Sequence, residues 1–241
     1  MTSTAREFMT ALAEYPNGLL GPTELCLSCV KVLPIDRAAI TVGLASNTWE
    51  LLGASDETAA RIEAQQAVTG EGPAIDALTR AGPVLVDDLA KQLAGWPGFT
   101  AALGADAWGA MYAFPLQIGA IVVGVLDLYR VEPLPLEPED MTAMLAVADI
   151  VTMVVLSHTP PPEVATDAAE AWWVPSPASS EIHQATGMVV AQLAVPPRIA
   201  YLRLRAYAFT HDLPLTTVAL DVIERRLRFN PDESTELEDH R

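Results

Sequence analysis

The chain has 241 residues, 51% of them hydrophobic and 19% charged, with a mean hydropathy of +0.26; this excludes a disordered chain and, at this length, predicts two folded units. Its 14 basic and 31 acidic residues give a formal net charge of −17, so the molecule as a whole repels polyanions and anionic membranes, and any nucleic-acid site must be local. Cys26 and Cys29 cannot build a disulfide framework, and no second cysteine pair or nearby histidine completes a zinc site.

The opening Met-Thr-Ser-Thr-Ala-Arg-Glu has no apolar stretch behind a basic start, so a cytoplasmic protein is expected. Residues 4–14 and 22–33 have helical apolar spacing, and Cys26, Cys29, Val30 and Leu33 share one stripe of the second helix. Residues 37–45 and 48–54 flank Ser46-Asn47 and predict a hairpin. From Asp56 an acidic opening leads a helix to about Thr69, closed by Gly70-Glu71-Gly72-Pro73 and followed by another helical turn or two. Residues 83–86 read as a short strand. Asp87-Asp88 then caps an irregular stretch through Trp96-Pro97-Gly98-Phe99 and a short helix to Leu103.

The longest uncharged run, 107–126, is broken by Pro115, Gly119 and Gly124 into strand-length pieces. Two strands are therefore expected, 110–117 and 120–129, turning at Ile118-Gly119. A helix from Pro138 or Glu139 to about Ser157 is apolar nearly all round and needs a partner, which predicts a homodimer through Met144, Leu145, Ala148, Val151 and Val155. Residues 159–180 are Pro-, Ala-, Ser- and acid-rich and predict a linker. The expected organisation is 1–158 as an antiparallel sheet with flanking helices, the linker, an all-α unit at 181–230, and an acidic tail at 231–241, an α+β chain overall.

Charge is distributed unevenly. Residues 1–160 hold 7 Lys or Arg against 19 acids, whereas residues 181–230 hold 6 arginines against 4 acids, a net +2. The six are Arg198, Arg203, Arg205, Arg225, Arg226 and Arg228; arginine's planar fork suits phosphate and base edges, although arginines on helix surfaces also serve solubility alone. Three helices are expected here: one with a stripe of Ile182, Ala185, Val189 and Leu193; one from about Arg198 to Thr210; and one after Pro214 that ends in the Arg225–Arg228 run. Gly187 interrupts the first at a cost of about 1 kcal/mol, which calls for a close approach by either a neighbouring helix or a nucleic-acid backbone.

Gln184-Ala185-Thr186-Gly187-Met188-Val189, then Ala200-Tyr201-x-x-Leu204-Arg205-x-x-Ala208, then Leu215-x-x-Val218-Ala219-x-x-Val222 resemble the ANTAR domain, a three-helix RNA-binding module of bacterial transcription antiterminators. The ending Arg225-Arg226-Leu227-Arg228-Phe229 is similar to that of actinobacterial members in which the module follows a GAF domain. Gly70-Glu71-Gly72-Pro73-Ala74-Ile75-Asp76-Ala77, Trp96-Pro97-x-Phe99, Pro115-Leu116 and 124–129 resemble that GAF half. The resemblance implies a signal-dependent, non-enzymatic regulator whose dimers bind paired RNA hairpins in nascent transcripts and prevent termination. Carried over by position, it implies Ala185, Gly187 and Arg205 as the matched module residues; with Gln184 and the other arginines of the basic island, Arg198, Arg203, Arg225, Arg226 and Arg228, they make the expected RNA-binding set, and no cofactor is expected. Ala208 and Ala219 are placed in the core.

Thr186 stands where many members have Lys, and Pro214 where a basic residue is frequent, which implies weaker or shifted RNA preference. The asparagine-lysine-phenylalanine-aspartate-glutamate signature of cyclic-nucleotide-binding GAF domains is missing, and Ala74 replaces a cysteine common in relatives. An apolar ligand pocket is expected near Trp108, Met111, Phe114 and Tyr129, with a filled core as the alternative. Cys26-Leu-Ser-Cys29 could be a redox pair but reads better as two small core residues, and the four dispersed histidines, His158, His183, His211 and His240, show no metal spacing. The competing function is a small-molecule sensor whose helical tail binds DNA or a protein, although Val218-Ala219-Leu220 is too apolar for a base-reading helix.

Overall fold

The computed structural model describes residues 2–15, 20–43, 49–92, 94–103, 109–157, 177–211 and 213–230. The chain divides into two compact units. The first contains the helices α1 (Ser3–Ala13), α2 (Pro22–Val32), α3 (Glu57–Thr69), α4 (Pro73–Arg80), α5 (Pro97–Leu103) and α6 (Pro138–Ser157), and the strands β1 (Arg37–Gly43), β2 (Trp49–Ala54), β3 (Val84–Val86), β4 (Ala110–Ile118) and β5 (Ile121–Arg130). The predicted elements are all present, and Ser46-Asn47 of the expected hairpin turn lie outside the described residues.

The strands form one antiparallel sheet in the order β2-β1-β5-β4-β3. Its central strand, β5, pairs Leu126 with Ile40 on one side and Phe114 on the other, and Tyr129 with Met111. Both faces are covered, which is why β5 reads as an almost unbroken apolar run rather than an alternating one. Against one face, α1, α2 and α6 pack Phe8, Leu25, Cys26, Met144 and Val151 onto Ile40, Tyr112, Phe114 and Leu126. Against the other, Ile62, Ala74, Ala77 and Phe99 from α3, α4 and α5 meet Ala39, Met111, Ala113, Val125 and Tyr129.

Local chemistry fixes the helix ends. Thr2 accepts from the Ala5 amide at 3.2 Å, and Asp56 accepts from the Ala59 amide at 2.7 Å while also pairing with Arg37. Gly70 closes α3 in the left-handed conformation, φ 67°. Asp88 caps a short 3-10 turn at Leu89–Lys91, as its sequence position predicts.

At 20 residues, α6 is long and apolar enough to cross a bilayer, yet one side of it is core. Met144, Ala148, Val151 and Val155, expected at a dimer contact, are buried within their own unit, and of the expected set only Leu145 is exposed. The partner that this helix needs is largely its own sheet and α1, with Met153, 62% exposed, pointing outward.

The second unit contains α7 (Pro177–Leu193), α8 (Pro197–Thr210) and α9 (Leu215–Ile223). Ala185, Val189, Ala200, Leu204, Ala208, Val218, Ala219 and Val222 form its core. Helix α7 begins inside the segment expected to be linker, because Pro177 is suited to a first helical turn. Helix α9 ends before the arginine run: Arg225 has φ 61° and turns the chain so that Phe229 lies edge-on to Tyr207 at 5.8 Å, its amide donating to Gln192 Oε1 at 2.9 Å. Arg225, Arg226 and Arg228 therefore follow the helix and are not carried on it.

Candidate functional site

Two groups of residues carry chemistry, one in each unit. In the first unit, Tyr129, expected at a ligand pocket, converges between the sheet and α3 with Glu63, Gln66 and Asp127, which sequence reasoning missed. Glu63 and Gln66 occupy core-facing positions of α3 beside Ala59 and Ile62, and Asp127 and Tyr129 share one face of β5. Glu63 Oε2 accepts from Thr41 Oγ1 at 3.0 Å, while Glu63 Oε1 accepts from Gln66 Nε2 at 3.0 Å and from the Tyr129 hydroxyl. Gln66 in turn accepts from the Ala74 amide at 2.9 Å, tying α4 to the cluster.

Asp127 is 0% exposed and Glu63 is 4% exposed. Among the described residues no donor reaches either oxygen of Asp127; its one hydrogen-bonding neighbour is the Glu63 carboxyl, with which it shares a proton, and its cross-strand neighbours Ala39 and Ala113 have no polar side chain to offer. Burial holds the Asp127 carboxyl well above the usual carboxylate range, with the nearby Glu63 charge adding to the effect. Burial also raises Glu63, against the hydrogen bonds from Tyr129, Thr41, Asp127 and Gln66 that favour its charged form. Glu63 is thus the better hydrogen-bonded member of the pair, and Asp127 the one pushed up more strongly. Tyr129 is pushed well up by burial and by the two carboxyls.

Of the expected ligand residues, Met111 and Tyr129 lie opposite each other on this same face. Phe114 belongs to the other face, three residues along the alternating strand from Met111, and packs with α6 and α2. Trp108 lies outside the described residues. Cys26 and Cys29 are both fully buried, and burial pushes both thiols up, in keeping with core residues rather than a redox pair.

The Gly70-Glu71-Gly72-Pro73 and Trp96-Pro97-Gly98-Phe99 motifs meet in space. Glu71 Oε2 accepts from the Gly98 amide at 2.7 Å and the Phe99 amide at 3.2 Å, capping α5.

In the second unit, Arg203, Arg225, Arg226 and Arg228 are exposed and Arg205 is half-buried. Arg226 pairs with Asp221 and Glu224, and Arg205 lies close enough to oppose the upward push that burial gives the Tyr201 hydroxyl. The Arg198 side chain is outside the described set. Gln184 is exposed, but Ala185 is fully buried and cannot touch RNA; it is a core residue of α7. Thr186 is also buried and bonds back to the Ile182 carbonyl at 2.7 Å. Gly187 is exposed, and a Cβ placed there would meet nothing within 4 Å. Close helix packing, the first of the two reasons expected for this glycine, is thereby overturned. Ile199, Leu202 and Phe209 leave apolar surface on the outer side of α8, with Phe209 56% exposed.

No family model and no curated protein matches the sequence. Solved structures do. The GAF domain from a phosphoenolpyruvate-protein phosphotransferase of Coxiella burnetii is 15% identical with a TM-score of 0.50, covering 64% of this chain and 91% of that one. The GAF domain from the Acinetobacter phosphoenolpyruvate-protein phosphotransferase is 12% identical with a TM-score of 0.48, covering 65% and 95%. The second GAF domain of DevS from Mycobacterium smegmatis is 16% identical with a TM-score of 0.42, covering 55% and 88%. The first unit, a five-stranded antiparallel sheet with helices on both faces, has the GAF fold.

Proposed function

We propose that the chain is a signal-dependent RNA-binding regulator in which the GAF unit is the sensor and the helical unit, read as an ANTAR module, binds paired hairpins in nascent transcripts and prevents transcription termination. The observation that carries this reading is the charge of the helical unit: six arginines against four acids within residues 181–230 of a chain at −17, with Arg203, Arg225 and Arg228 exposed. A local cationic surface on an anionic molecule is selective, because the remainder of the protein repels the same polyanion. Gly187 adds support. Its helix bears the cost of a mid-helix glycine with no close contact among the described residues to account for it, and a nucleic-acid backbone approaching α7 would.

The regulator works in this reading as a cytoplasmic, non-enzymatic homodimer, presenting two hairpin-binding units at once. The outward side of α6, with Leu145 and Met153, is the dimer contact that this reading requires. The test is a gel-shift comparison of the full chain with hairpin RNA, duplex DNA and single strands at several salt concentrations. Preference for hairpin RNA, with affinity falling as salt rises, supports the reading; equal binding to duplex DNA, or no binding to any nucleic acid, refutes it.

A further inference from the structure

We propose that Glu63 and Asp127 form a binding site for one positively charged group, and that the ligand of the GAF unit is a small organic cation carrying a protonated amine. This deepens the sensor half of the reading above and rests on it.

The argument begins with what is satisfied and what is not. Glu63 has three donors around it, Thr41 from β1, Gln66 from α3 and Tyr129 from β5. Asp127, buried completely one residue pair away from Tyr129 on the same strand face, has no donor on either oxygen among the described residues, and its one hydrogen-bonding neighbour is the Glu63 carboxyl itself. Buried polar groups are almost always partnered, so an orphaned carboxyl marks either a missing donor or a missing ion. Two carboxyls side by side in an apolar layer also cannot both stay ionised without a compensating charge.

A shared proton meets part of that demand: it neutralises one carboxyl and supplies one hydrogen bond, from Asp127 to Glu63. The second Asp127 oxygen is still left without a donor. No described lysine or arginine pairs with either residue, and the remaining titratable neighbours, Tyr129 in the layer and Cys26 from α2, are themselves neutral and held so by burial. An ammonium group answers both needs. It is donor-only, carries the opposite charge, and can bond to both carboxyls while the proton leaves to solvent. An anionic or purely apolar ligand would leave Asp127 as it is. The cross-strand neighbours Ala39 and Ala113, and Ala59 and Ala74 of the same apolar layer, bring no competing side-chain donors.

The experiment uses the full chain and follows its thermal midpoint with ammonium, methylammonium and ethylammonium chloride, each against sodium chloride at equal ionic strength and against the neutral isostere ethanol, from pH 6 to 9. Stabilisation by the ammonium probes over sodium, growing as pH rises because the probe replaces a proton, is expected, and Asp127→Asn should abolish it. Glu63→Gln, which keeps the size of the side chain, should weaken it by at least about tenfold in apparent affinity. Equal midpoints in ammonium-type and sodium salts across that range would overturn the proposal. If the wild type then still loses stability with pH and Asp127→Asn does not, the pair is a proton site alone. Hairpin-RNA binding by the same preparation, measured separately, shows whether the regulatory reading survives that result.

Discussion

Glu71 and Gly98, 27 residues apart in sequence, are joined by a 2.7 Å hydrogen bond from the Gly98 amide to Glu71 Oε2. The same oxygen accepts from Phe99, so one carboxylate supports the start of α5 and the burial of the Phe99 ring against the sheet. Glu71→Ala should destabilise the first unit by about 1–2 kcal/mol, the size of a lost helix cap with a charged acceptor. The check is denaturant unfolding of the variant. An unchanged midpoint would mean that α5 is held by Phe99 packing alone.

The Glu63–Asp127 pair gives the protein a pH dependence of definite sign. Both carboxyls are raised above their ordinary values of about 3.9–4.3, so the folded state binds more protons than the unfolded chain. The stability they contribute is fully present below that range and is lost as pH rises through the folded-state values, at up to about 1.4 kcal/mol per pH unit for each excess proton. Asp127→Asn removes one such group at nearly constant volume. Its unfolding free energy, measured from pH 5 to 9, should gain steadily on that of the wild type; parallel curves would contradict the assignment.

Both cysteines are buried and their thiols pushed up, so neither is a ready nucleophile. A thiol-reactive chromogenic reagent should find no cysteine in the native protein on the time scale of minutes and two after denaturation. Rapid reaction of one thiol in the native state would instead point to opening of α2.

The surface left on α6 for the proposed dimer is narrower than the apolarity of that helix implies, because four of five expected contact residues are core. Met153→Glu changes a side chain that is 62% exposed and should leave the unfolding free energy of the single chain within about ±0.5 kcal/mol of the wild type, as is usual for surface changes. It should also convert the dimer to a monomer in sedimentation. A wild type that sediments as a monomer at micromolar concentration removes the dimer from the account.

How far the sequence disclosed the molecule can be traced residue by residue. The elements were legible because their punctuation is strong: Asp56 and Gly70 bracket α3, Pro138 opens α6, and Gly119 breaks a span-length apolar run into β4 and β5, whereas Pro115 and Gly124, also expected to break it, lie within those strands. Face assignments were less so. Phe114 and Met111 are both apolar residues in a strand covered on both sides, so composition gives no hint of which layer each enters. The buried cluster did leave a signal, a Glu and a Gln at the core-facing spacing of α3 and an Asp inside an otherwise apolar strand, but only pairing in space shows that they meet. For Gly187, the sequence posed the question and the exposed surface of α7 removed one of its two answers.

The central claim, that the arginines of the helical unit hold RNA, is tested most directly by the salt dependence of hairpin affinity for the wild type, Arg205→Ala and Arg203→Ala. Arg205 follows Leu204 of the core on α8 and lies seven residues from Arg198, on the same side of the helix, while Arg203 lies on another. The account predicts that Arg205→Ala loses at least about 1 kcal/mol of hairpin affinity, beyond any loss of melting temperature, and flattens the plot of log affinity against log salt by about one unit. Arg205→Ala binding the hairpin as tightly as the wild type, with the same slope, would contradict it.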